Sequence, residues 1–204
     1  VSEETARYKG GGYRENRDIE QVHLVLGFDG VPYQDQDFYA ASVLATLLGG
    51  GMSSRLFQEV RENRGLVYSI YSYTASYNDG GLFAIYAGTG EDEVAEVVPV
   101  VCDEVMKVTQ GVTAEELQRA RAQLKASMLM SLESPSSRCE QLVRQVMAYG
   151  RPIPVAEVVA EIEKVDAEAV LRAARRILAT TPTLAAIGPL DKVETYEQVK
   201  ARLG

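Results

Sequence analysis

Leu66-Val67-Tyr68-Ser69-Ile70-Tyr71-Ser72-Tyr73 interleaves aromatic and β-branched residues with serine, the composition of a half-buried strand. The turn Asn78-Asp79-Gly80-Gly81 follows and leads into an apolar run from Leu82 to Ala87. The two runs therefore read as a hairpin, and a hairpin commits the sheet around it to antiparallel pairing.

Upstream, Val22, Leu24, Leu26 and Phe28 alternate with Gln21, His23 and Val25, the period of a strand with one buried face. Between that strand and the hairpin, Asp35 or Asp37 can cap a helix whose Ala40, Ala41, Leu44, Leu47 and Leu48 fall at helical spacing, and Gly49-Gly50-Gly51 ends it. A shorter helix from Ser53 or Ser54 buries Leu56, Phe57 and Val60 and stops at Asn63 and Gly65.

Every long segment after the hairpin has a helical pattern. Val94, Val97, Val98, Val101, Val105 and Val108 form a stripe, with Pro99 expected to kink that helix or mark its start. Thr113 and Glu116 make a capping box, and Ser134-Pro135 opens a helix that places Leu142, Val143, Val146 and Met147 inside. Pro154 begins the next helix and Asp166 caps another, Pro182 stops it, Leu184 to Ile187 reads as a last strand, and Glu194 to Leu203 as a closing helix. Strands and helices are segregated, so the expected fold class is α+β, a largely antiparallel sheet with helices packed on one face.

Residues 1–17, with Gly10-Gly11-Gly12 in the middle, read as a flexible lead-in or linker, and residues 18–204 as the domain. The first residues show neither an initiator Met nor a signal pattern, as expected of a domain taken from a longer polypeptide or of a processed product.

Composition excludes several classes of function. A formal net charge of -8 is the wrong sign for a nucleic-acid surface, and no apolar run is long enough to span a membrane. Cys102 and Cys139 are expected as buried core thiols, and His23, the one histidine, as a surface or hydrogen-bonded structural residue. One histidine and two distant cysteines build no complete zinc site. Gly49-Gly50-Gly51-Met52-Ser53-Ser54 follows a helix and lacks a Walker lysine, so it reads as a tight turn. In Arg61-Glu62-Asn63-Arg64-Gly65-Leu66-Val67-Tyr68, a glycine joins a helix end to a strand start and brings a guanidinium and a phenol onto adjoining elements. Both are donors of the kind an oxyanion needs, although by composition alone an arginine on an exposed helix face and a tyrosine in a hairpin read as surface and core.

The run from Leu47 through Gly49-Gly50-Gly51-Met52-Ser53-Ser54-Arg55-Leu56-Phe57 to Arg61, Gly65 and Tyr68-Ser69 resembles the C-terminal half of the pitrilysin/insulinase zinc metallopeptidases, in the branch of the mitochondrial processing peptidase and its bacterial relatives. The resemblance extends through Ala87-Gly88-Thr89 to Ala186-Ile187-Gly188. It implies one half of a clamshell that encloses a peptide. The other half, or a homologous subunit, carries the zinc motif His-Xaa-Xaa-Glu-His, and zinc with the motif glutamate activates a water for attack on the peptide carbonyl.

Arg61 and Tyr68 match the family's substrate-holding and oxyanion-supporting pair, seven positions apart. The resemblance thus implies a peptidase that uses zinc in the full-length protein, with no zinc bound by this chain and no activity in it alone. The substrate is a peptide, and the negative charge suits a basic one. A bacterial cytoplasmic or mitochondrial-matrix setting is implied. Two alternatives stand beside this reading: a non-catalytic core or partner subunit of a processing-peptidase-like or respiratory assembly, and a stand-alone peptide-binding module.

Overall fold

A computed structural model describes residues 5–204. Five strands form one sheet in the order β1-β5-β2-β4-β3, where β1 is Gly11–Asn16, β2 Val22–Asp29, β3 Ser69–Ser76, β4 Gly81–Thr89 and β5 Thr183–Gly188. Every pair is antiparallel except β1 with β5, which run parallel from Gly11 opposite Thr183 to Asn16 opposite Gly188. The helices are α1 (Phe38–Gly49), α2 (Val94–Val108), α3 (Ala114–Ser131), α4 (Pro135–Tyr149), α5 (Val155–Lys164), α6 (Ala167–Leu178) and α7 (Tyr196–Leu203). The chain is thus the α+β sandwich its segregated pattern predicts.

The alternation along the strands decides which face the helices cover. Val22, Leu24, Leu26 and Phe28 of β2, Phe83 and Ile85 of β4 and Leu184 and Ala186 of β5 are buried on one side, against Leu44 and Leu48 of α1, Val97 and Val101 of α2 and Ala174 and Ile177 of α6. The register puts His23, Val25, Tyr86, Tyr71, Tyr73 and Ile187 on the other side, which these helices do not cover. There the Tyr71 and Tyr86 rings stack at 5.0 Å, and His23 Nδ1 lies 2.7 Å from the Tyr86 hydroxyl.

Four expectations are corrected, that for Pro99 in only one of its two alternatives, the helix start. Residues 11–16 of the flexible lead-in are a strand, and the segment before it is also tied down: the Tyr8 hydroxyl lies 2.7 Å from Thr183 Oγ1 and donates to the Gly27 carbonyl at 3.1 Å. Residues 1–4 of that lead-in lie outside the described residues. Pro99 stands inside α2, which begins five residues earlier at Val94. Leu142, Val143, Val146 and Met147 are exposed, because α4 turns its apolar stripe away from the core and buries Ala148 instead. Cys139, on the same helix, is exposed as well, whereas Cys102 is buried and desolvation pushes its thiol up to about 12.

Capping follows the sequence closely at Thr113 with Glu116, at Ser134 and at Asp166. Asp37 departs from it. It precedes α1 without a side-chain capping bond, and its buried carboxylate accepts from Arg172 at 2.8 Å and Arg176 at 3.2 Å. Asp35 accepts two further bonds from Arg176, which hold its carboxyl below the usual carboxylate range. Two acids and two arginines therefore fix the start of α1 to α6.

Candidate functional site

The stretch that carries Arg61 leaves α-helical geometry: Phe57–Asn63 is a π-helix. Its wider turn is anchored by Leu56 and Val60, both fully buried, so the residues between them project from a fixed base. Such turns are uncommon and concentrate at functional sites. Three ion pairs, made by two arginines, brace the segment. Arg55, just before it, donates to both Glu116 oxygens at 2.6 and 3.0 Å and to the Gly111 carbonyl at 2.8 Å. Arg64, just after it, bridges Glu59 at 2.8 Å and Glu96 of α2 at 2.9 Å.

Arg61 itself is exposed, and its guanidinium lies 4.9 Å from the centroid of the Phe57 ring. That cation–π contact orients the cation while leaving its N–H donors free. The spacing of Phe57 and Arg61, four apart on a helix, is the signal that could have identified this support in the sequence.

Gly65 then reverses the chain at φ +67°, a left-handed conformation that favours glycine. Its N–H donates to the Arg61 carbonyl at 3.0 Å, and the Leu66 N–H to the Val60 carbonyl at 2.9 Å. Leu66 and Val67 are buried, and buried Thr89 donates its hydroxyl to the Leu66 carbonyl at 2.5 Å. Tyr68 emerges from this pinned turn 61% exposed. Its N–H donates to the Gly88 carbonyl at 2.8 Å although Gly88 is the register partner of Ser69, so two residues oppose one in the manner of a β-bulge. A Cβ on Gly90 would lie 3.8 Å from the Tyr68 hydroxyl, which places the phenol over the end of β4.

Among the described residues, neither the Arg61 guanidinium nor the Tyr68 hydroxyl has a hydrogen-bond partner, although each is carried on a firmly held backbone. Free donors on a rigid frame can bind a carbonyl or carboxylate oxygen with little reorganisation. The glycine run contributes packing: a Cβ at Gly49 would overlap the main chain of Ser72, so glycine lets the end of α1 lie on β3. No group of three or more His, Cys, Asp or Glu among the described residues could hold a metal ion, and His23 is engaged with Tyr86. The residues present do not fit a zinc site.

Fold and site together define a two-layer α+β domain that presents donors without a metal centre of its own. The chain belongs to the peptidase M16 family: the profile described as "Peptidase M16 inactive domain" matches residues 2–124. It is 39% identical over 187 residues to an uncharacterised zinc protease of Rickettsia felis, covering 91% of this chain and 45% of that protein. It is 42% identical over 175 residues to another from Streptomyces coelicolor, covering 85% and 38%. Similarity to the mitochondrial-processing peptidase subunit alpha of Caenorhabditis elegans is 31% over 215 residues, covering 95% and 42%. Among solved structures, a chain of complex III2 from Candida albicans has the same fold, with a TM-score of 0.89 at 17% identity, over 96% of this chain and 49% of that one. The chain therefore spans less than half the length of these curated relatives.

Proposed function

We propose that this chain is the substrate-holding half of a zinc-dependent peptidase, and that Arg61 and Tyr68 bind the peptide backbone at the bond to be cut. The observation that carries the reading is the pair of exposed donors, without partners among the described residues, on a π-helix and a bulged strand start. Zinc is assigned to a companion half or homologous subunit outside this chain, as the zinc-protease names of the relatives support. The part of the present residues is to orient an extended peptide and to donate to its carbonyl oxygen as charge builds there. The net charge of -8 favours a basic peptide, and a bacterial cytoplasm or mitochondrial matrix suits such an assembly.

One relative is named as a subunit of a peptidase, which supports a second reading: a chain that works as a partner subunit without cutting peptides itself. Peptide hydrolysis by the whole polypeptide carrying this chain, supplied with zinc, separates the two. Cleavage that collapses in Tyr68→Phe and Arg61→Ala while both variants stay folded supports the first reading. No cleavage of basic or neutral peptides by the unaltered protein overturns it in favour of the second.

A further inference from the structure

Glu59 accepts hydrogen bonds from Asn63, four residues on, at 3.0 Å and from Arg64, five residues on, at 2.8 Å. An α-helix brings together side chains three and four apart and sets the fifth on another face, whereas the wider π turn carries the fifth around. The Glu59–Arg64 pair is therefore one that α geometry disfavours, and it sits at the end of the turn that carries Arg61. The main chain closes at the same place, where the Gly65 and Leu66 N–H groups donate to the Arg61 and Val60 carbonyls.

The same guanidinium reaches Glu96, in the first turn of α2, at 2.9 Å. Among the described residues, no other side-chain hydrogen bond joins the π-helix and its end to α2. Gly90 is tied to that turn as well, its carbonyl accepting from the Val94 N–H at 3.2 Å, and the Tyr68 hydroxyl lies over Gly90. One planar fork thus spans the turn that presents Arg61 and the helix start that underlies Tyr68. Lysine, a point charge, offers no such two-way geometry.

We infer that Arg64 is a positioning residue, which holds Arg61 and Tyr68 at a fixed offset by bridging Glu59 and Glu96. This rests on the substrate-holding reading above and adds what keeps the two donors in step. All three bridging side chains reach solvent, so the bridge contributes little to global stability and weakens as salt screens it. Turnover is far less tolerant than stability, because a displacement of about 1 Å can lower it roughly a hundredfold. The bridge therefore makes turnover sensitive to ionic strength at a step that follows peptide binding.

The test uses the whole polypeptide that carries this chain. Arg64→Gln and Glu59→Gln should melt within about 2 °C of the parent. Amide hydrogen exchange at Gly65 and Leu66 should quicken about threefold or more in Arg64→Gln, with β2 and β4 unchanged. With zinc and saturating peptide, either variant should lose about fivefold or more in kcat at a KM within about twofold, and the double variant should fall no further. Arg64→Lys should recover only part of the loss. Raising sodium chloride from about 0.05 to about 0.5 M should lower kcat in the parent and leave that of Arg64→Gln flat. Unchanged exchange in Arg64→Gln, effects that multiply in the double variant, or an equal salt response in both proteins overturns the inference. So does a loss confined to KM, since Arg64 would then be touching the peptide. Quickened exchange in a polypeptide that cuts nothing keeps the bridge and sinks only the peptidase reading, and cleavage with kcat unchanged in Arg64→Gln sinks only the bridge.

Discussion

The Tyr68 N–H and the Gly88 carbonyl are joined at 2.8 Å across a position that the ladder assigns to Ser69. The backbone of Tyr68 is thus held by the sheet while its hydroxyl has no partner among the described residues. Tyr68→Phe should therefore leave unfolding free energy within about 0.5 kcal/mol of the parent. In the zinc-supplied whole polypeptide the same change should lower kcat by roughly 10²- to 10³-fold, the range for loss of one oxyanion donor. Urea melts and peptide hydrolysis on the same preparation check both halves of the expectation.

Asp37 gives the opposite outcome. Its carboxylate is 2% exposed and shared by Arg172 and Arg176. Asp37→Ala removes hydrogen bonds to a buried charged group but leaves the half-exposed guanidinia free to regain water, so it should cost about 1.5–3 kcal/mol, read as a lower urea midpoint with an unchanged slope.

Glu116 makes stability depend on acid. Hydrogen bonds from Arg55 lower its carboxyl from 4.5 to about 2. A depressed folded-state value means that its contribution is complete above the unfolded value near 4.5 and is lost as pH falls toward 2. The amount is on the order of 3 kcal/mol for this mostly buried pair. Denaturation curves taken through that window should steepen the loss of stability in the parent relative to Glu116→Gln, and parallel curves would refute the assignment.

The two cysteines should react one at a time. Cys139 lies exposed on α4, and Cys102 is buried with its thiol pushed up to about 12. Thiolate is the reacting form, so a thiol reagent at neutral pH should label one site in the native protein and the second only on unfolding. Mass mapping of the labelled peptides identifies which.

The readable parts of the sequence were those with a local cause. Alternation marked β2, serine-spaced aromatics and Asn78-Asp79-Gly80-Gly81 marked the hairpin, and Thr113, Ser134 and Asp166 marked their helices because each cap bonds within three residues. What escaped has a distant cause. Gly11-Gly12-Tyr13-Arg14-Glu15-Asn16 has no alternating apolar pattern and is a strand because β5 offers it a ladder. The stripe Leu142, Val143, Val146, Met147 is a true helical periodicity, yet periodicity does not state which surface covers it, and nothing among the described residues does. The π-helix at Phe57–Asn63 shares its spacing of buried residues with an ordinary helix. Arg61 and Tyr68 stood out through family resemblance; composition around them was neutral.

β5 lies between β1 and β2, so the last strand of the chain is the interior member that joins the first strand to the rest. A ribosome releases Gly11–Asn16 long before Thr183–Gly188 exists to receive it. The first strand must therefore wait, unpaired, through the synthesis of the six α-helices between them, and the sheet closes only once β5 has emerged. Its charged, glycine-rich sequence, which hid it from pattern reading, is also what keeps a waiting strand from sticking to its neighbours.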